Sequence, residues 1–176
     1  MDLSRRRFFG SRLPRVAPFR PPWSVPEAEF VDACSRCDDC VKACPTGLLK
    51  RGDGGFPVAD FGSASCSFCG DCAKSCRTGA IAGDTGQVPW QFTIHIAEGC
   101  LAHQRVECRV CGEMCDARAI RFPLVAGGGP RPEIDAGACT GCGACVAPCP
   151  VNAIERVPRD LFPSDRARFS LSMELP

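Results

Sequence analysis

The chain lacks several features that would have pointed elsewhere. No stretch approaches the roughly eighteen apolar residues needed to cross a membrane as a helix. The first thirty residues hold Arg and Pro where a secretory signal would need about seven or more consecutive apolar residues. Formal net charge is only +1 over 176 residues, so no global field favours nucleic acid or an anionic membrane. Lysine is scarce, three against eighteen arginines, an imbalance read as a coding bias. No phosphate-binding glycine loop, flavin or nucleotide fingerprint, or nucleophile–base set is present, so an enzyme in its own right is not expected.

What the chain has is cysteine, sixteen in all. That is about 9 per cent, the range of disulfide scaffolds and metal proteins. Disulfides require an oxidising compartment. With no secretory signal expected, the reading is a cytoplasmic protein whose clustered thiols bind metal.

The sixteen fall into four runs with none left over. The first is Cys34-x2-Cys37-x2-Cys40-x3-Cys44-Pro45, and the second Cys66-x2-Cys69-x2-Cys72-x3-Cys76. The third is Cys100-x7-Cys108-x2-Cys111-x3-Cys115, and the fourth Cys139-x2-Cys142-x2-Cys145-x3-Cys149-Pro150. A [4Fe–4S] cluster needs one thiolate at each of four iron corners. C-x2-C-x2-C wraps three of them, and in two-cluster ferredoxins the fourth cysteine ligates the other cluster. Structural zinc favours two separate C-x2-C knuckles, so four copies of this run point to four [4Fe–4S] clusters and all sixteen cysteines as ligands. Motif three departs through its long first gap, read as a tolerated insertion, and through Asp116 where motifs one and four carry Pro. His103 lies in that gap. It is not expected to be a ligand where thiolates suffice, and His95 is expected to be a packing residue.

After each run comes a short apolar pair: Leu48-Leu49, Ala80-Ile81, Ala119-Ile120 and Ala153-Ile154. Glycine-rich turns follow at 52–55, 83–86 and 127–129, and strand-like runs at 56–61, 92–96 and 132–135. The pattern predicts an α+β fold of tandem bacterial two-cluster ferredoxin-like units, at 31–87 and 88–157. A basic Pro-rich tail over 1–30 and a C-terminal tail over 158–176 complete the division. Such units bury too little apolar surface to fold without a staple, so cluster binding and folding are expected to be coupled.

The layout resembles the NapF family, ferredoxin-type accessory proteins of periplasmic nitrate reductase systems. The resemblance runs from Ser4-Arg5-Arg6-Arg7-Phe8-Phe9 through the fourth motif. It is most specific at Cys100-Leu101-x5-Glu107-Cys108-Arg-Val-Cys111-Gly-Glu-Met-Cys115-Asp116. It implies a cytoplasmic protein that contacts the molybdenum-containing catalytic subunit before export and assists its iron–sulfur loading or activation. An electron-wire subunit or polyferredoxin carrier of another redox complex is the alternative. Ser-Arg-Arg-x-Phe also resembles a twin-arginine signal, but the arginines and prolines that follow leave no apolar region.

Two points stay open in the residues. Motifs pair either sequentially, one with two and three with four, or one with four and two with three; neighbours in sequence favour the first. Asp38, Asp39 and Asp71 beside the first two motifs, against Arg105, Arg109, Arg118 and Arg121 around the third, predict higher potentials in the motif-three half.

Overall fold

The computed structural model describes residues 18–82, 86, 89–90, 92–123, 129 and 131–158. Among these residues there are four short helices and six short strands: α1 (Glu27–Ala33), α2 (Asp39–Ala43), β1 (Leu49–Arg51), β2 (Pro57–Ala59), α3 (Asp71–Ser75), β3 (Phe92–Ile96), α4 (Val110–Glu113), β4 (Ile120–Arg121), β5 (Glu133–Ile134) and β6 (Ile154–Pro158). It is a small mixed helix–strand fold, and the same plan occurs twice.

In the C-terminal half, β3 and β6 pair antiparallel from Phe92↔Pro158 to Ile96↔Ile154, while β4 and β5 form an inner pair at Ile120↔Ile134. In the N-terminal half, β1 and β2 form the inner pair at Leu49↔Ala59, joined by a 3-10 turn over Asp53–Gly55. The outer pairing there is a single antiparallel bridge, Ser24↔Ile81. Of the apolar pairs noted in the sequence, Leu49, Ile120 and Ile154 enter strands and Ile81 enters the bridge. The strand runs at 56–61 and 132–135 contract to the three residues of β2 and the two of β5.

α2 and α3 have only five residues each, far below the length at which a helix persists alone. Each starts after a residue in the left-handed region, Asp38 (φ 64°) or Gly70 (φ 77°). Each carries an acidic residue in the first turn and lysine in the last, Asp39 with Lys42 and Asp71 with Lys74. That distribution complements the helix dipole. Both helices bury one cysteine, Cys40 and Cys72.

The expected tail over 1–30 needs correcting from residue 18 onward; residues 1–17 and 159–176 lie outside the described residues. Pro21, Pro22, Trp23 and Phe30 are buried. The prolines lack amide hydrogens, but the segment finds long-range partners. The Ala59 amide donates to the Phe19 carbonyl, the Trp23 amide to that of Pro89, and Trp90 Nε1 to that of Arg20. Arg20 adds a forked pair to Glu27, at 2.8 and 2.6 Å, and stands between the Phe30 and Phe56 rings. Ser24 thus occupies in the first half the place that β3 holds in the second.

Two core clusters result. The first is aromatic, built on Trp23, Phe30, Phe61, Trp90 and Phe92; the second is aliphatic, built on Ile94, Ile96, Ile120 and Ile154. Val146 packs against both. Phe30 is fully buried, so Phe30→Ala is expected to cost about 3–5 kcal/mol. Denaturant titration of the metal-loaded protein, followed by loss of visible absorbance, checks this.

Candidate metal centre

The thiols gather in fours. The Cys34, Cys37, Cys40 and Cys76 side chains line one cavity of about 280 Å³, closed on one side by Phe30 and Ile81. Cys44, Cys66, Cys69 and Cys72 line a narrower one of about 20 Å³, beside Trp23 and Leu48. Cys100, Cys108, Cys111 and Cys149 line a third of similar size, with Phe122 and Ile154. Of the remaining four, Cys139 and Cys145 are buried in the aliphatic core, Cys115 packs against it, and Cys142 lies close to Cys145. In each of the three lined cavities, three thiols come from one motif and the fourth from the other motif of the same half. Among the described residues, no three of the His, Cys, Asp and Glu side chains converge on a point suited to one ion. A single zinc would require such convergence, with sulfurs about 2.3 Å from it. Four thiols spaced around a cavity fit the separate corners of a cubane.

Backbone geometry builds the loops. The residues on either side of the second cysteine adopt left-handed conformations in three motifs: Arg36 and Asp38, Phe68 and Gly70, Gly141 and Gly143. Successive amides in such turns form concavities that attract anions, a device common at iron–sulfur sites. The third motif differs. Arg109, after its second cysteine, has φ −131°. Its long gap folds into compact turns, with the Gln104 amide donating to the Cys100 and Leu101 carbonyls and Ala102 buried.

The last cysteine of each run receives main-chain or hydroxyl hydrogen bonds at sulfur. Amides of Ile81, Ala119 and Ala153 donate to Cys76, Cys115 and Cys149 Sγ at 3.4, 3.3 and 3.2 Å. In the first half only, a threonine adds to this: Thr46 Oγ1 lies 3.5 Å from Cys44 Sγ, and Thr78 Oγ1 3.7 Å from Cys76 Sγ. Burial alone would raise both thiols. These donors outweigh it, and the Cys44 and Cys76 pKa values fall below the ordinary thiol range. The central cysteines behave oppositely. Burial first, then neighbouring thiolates, push Cys40, Cys66 and Cys111 up to about 11, and Cys72 and Cys145 to about 12. Bound cations invert that local logic, and iron held here would keep these buried sulfurs as thiolates.

All sixteen candidate cysteines lie within the described residues. His95, expected to pack, is instead about half exposed, with Nδ1 3.8 Å from Glu155 Oε2. His103 does not line the cavity of Cys100, Cys108, Cys111 and Cys149. The charge argument for potentials loses much of its basis. Asp38 pairs with Arg51 at 2.7 Å and Asp71 with Lys74 at 3.0 Å, while Arg105, Arg109, Arg118 and Arg121 are exposed, where solvent screens them. Thr46 and Thr78 were missed, though the repeated Cys-x-Thr-Gly at 44–47 and 76–79 announces them.

Thiol loops of this geometry define a 4Fe–4S dicluster ferredoxin-type protein, and the family described as 4Fe-4S dicluster domain matches residues 33–80 and 104–153. More particularly, the chain belongs to the family of the ferredoxin-type protein NapF. It is 52% identical over 135 residues to the Haemophilus influenzae NapF, covering 77% of this chain and 76% of that one. It is 40% identical over 155 residues to the Escherichia coli K12 NapF, covering 88% and 94%. A methylamine utilization ferredoxin-type protein, MauM of Methylorubrum extorquens, is 33% identical over 175 residues, covering 85% and 76%. The chain is accordingly an iron–sulfur protein of electron-transfer or accessory type and not an enzyme. No helix among the described residues is long and apolar enough to cross a membrane.

Hydrogen bonds to cluster sulfur favour the reduced, more negative state. Thr78→Val is therefore expected to lower one cluster potential by about 20–65 mV, the one-electron equivalent of a net hydrogen bond of about 0.5–1.5 kcal/mol. Square-wave voltammetry reads the shift, and an unchanged or raised potential would count against a role for the hydroxyl.

Proposed function

We propose that the chain carries four [4Fe–4S] clusters in tandem two-cluster ferredoxin-like units, with sequential exchange of last ligands. Set one is Cys34, Cys37, Cys40 and Cys76; set two is Cys44, Cys66, Cys69 and Cys72. Set three is Cys100, Cys108, Cys111 and Cys149; set four is Cys115, Cys139, Cys142 and Cys145. The observation that carries this is the grouping of Cys76 with the motif-one thiols, Cys44 with motif two and Cys149 with motif three. The clusters supply one-electron redox capacity. The protein holds them with thiolates, aims amides at the sulfurs and shields them behind Phe30, Trp23, Phe122 and Ile154.

The biological role proposed is that of a cytoplasmic accessory protein. It assists maturation or activation of the molybdenum-containing catalytic subunit of periplasmic nitrate reductase before export, by electron supply or cluster loading. Similarity to two proteins named NapF over most of their length supports this reading. A carrier or wire subunit of another redox complex is the second reading, favoured by the likeness to a methylamine utilization ferredoxin-type protein. Anaerobic capture of the tagged chain separates them. Co-recovery of the immature molybdenum subunit is expected, whereas fixed stoichiometry with a different redox enzyme would select the second.

Iron analysis should give about sixteen iron atoms per chain, four for each cluster. Chelating the iron should abolish most of the far-ultraviolet helix and strand signal, because metal binding and folding are coupled in units this small. Retention of that signal without iron would refute the coupling. Under sequential exchange, Cys76→Ser should perturb the same paramagnetic signal as Cys37→Ser, and not the one altered by Cys69→Ser.

A further inference from the structure

We infer that the spatial order of the thiol sets is one, two, four, three, and that the halves meet at a junction formed by Cys66, Cys142, Phe61 and Gly143. This rests on the ligand sets proposed above. The central observation is one contact: the Cys66 amide donates to the Cys142 carbonyl at 2.9 Å. Cys66 belongs to set two and Cys142 to set four. The connection from one sulfur to the other therefore crosses a single hydrogen bond and otherwise only bonds of the two cysteine residues.

The neighbourhood is shaped to hold that contact. Phe61, from the first half, is buried and packs on Trp90 and Phe92 at ring-centroid distances of 5.3 and 5.8 Å. Gly143 sits against the same Phe61 ring, and a Cβ there would fall inside it. With φ at +78°, Gly143 is also in the region that side chains disfavour. Arg156 of β6 closes the other side, 3.7 Å from the Phe19 ring centroid and 5.0 Å from that of Phe61. The junction is thus a packed, largely apolar interface in which the motif-four loop approaches closely because it has no side chain at position 143.

Contacts within each half fix the rest of the order. α2 packs on α3, bringing Cys40 of set one close enough to Cys72 of set two to interact electrostatically. Cys145 of set four stands in the same relation to Cys111 of set three. Burial agrees in the second half, where set four has two buried thiols and set three none; in the first half sets one and two each hold one buried and one exposed thiol, and there the contacts alone give the order. Sets one and three are the ends at which a partner could exchange electrons. One electron moved across the junction oxidises one side and reduces the other by one.

The test uses the full chain, anaerobically loaded and reduced stepwise with dithionite. Pulsed dipolar electron paramagnetic resonance reads spin–spin coupling between the halves. Ligand variants Cys37→Ser, Cys69→Ser, Cys108→Ser and Cys142→Ser each alter one set. The strongest coupling between halves is expected to be lost on altering set two or four and kept on altering set one or three. The opposite pattern overturns the order. Failure of the ligand sets themselves has a different signature, Cys76→Ser perturbing the signal that Cys69→Ser alters.

Phe61→Leu, which removes the ring that the motif-four loop abuts, should weaken the coupling between halves while iron content and coupling within each half persist. A fully loaded Phe61→Leu protein with unchanged coupling between halves overturns the junction. Should that variant fail to load, the four ligand variants of the otherwise native chain decide alone.

Discussion

The cost of holding sulfur anions in a buried interior is the constraint on which the rest depends. Burial first, and then repulsion between neighbouring thiolates, opposes ionisation there, which is why Cys72 and Cys145 stand near 12. Bound iron would reverse the sign, so that the four thiolates of a group would each be held by attraction to metal. The elements around the cavities are correspondingly slight: helices of four to seven residues and strands of two to five. None would persist alone. Left-handed turns at Arg36, Asp38 and Phe68, which cost energy for residues with side chains, are explained by the same demand, since they orient amides toward the anion.

Much of the plan was legible because it depends on local spacing. The cysteine runs, the strand at 92–96 and the apolar pairs after each run are short-range signals, and each has its structural counterpart. Residues 18–30 were not legible in the same way. Pro21, Pro22 and Pro26 have no amide hydrogen to give to a ladder, so the segment reads as tail. What orders it is distant: the Pro89 carbonyl for Trp23, the indole of Trp90 for Arg20, the guanidinium fork to Glu27. His95 illustrates the converse. It was expected to pack, but it is exposed while Thr93, on the same face two residues earlier, is buried.

Relations between the halves were hidden for a related reason. Gly143 is visible as a glycine, yet nothing local says that its missing side chain makes room for Phe61, some eighty residues earlier. The Thr46 and Thr78 hydroxyls were hidden differently, by the ordinariness of Cys-x-Thr-Gly as a turn sequence. Their absence after Cys115 and Cys149, where Asp116-Ala117 and Pro150-Val151 stand, makes the halves chemically unequal at positions that the spacing treats as equivalent.

The outer pairing of each half has a consequence for synthesis. Ser24 meets Ile81, so the outer pairing of the first half can close once the chain has emerged a little beyond that residue. β3 waits for β6, and Ile96 meets Ile154 only when nearly the whole described chain is out. Domains form in order as a chain leaves the ribosome. The thiols that line the first two cavities are thus all in the chain before Cys139 to Cys149 are added, an order that would let metal loading begin at the amino-terminal end.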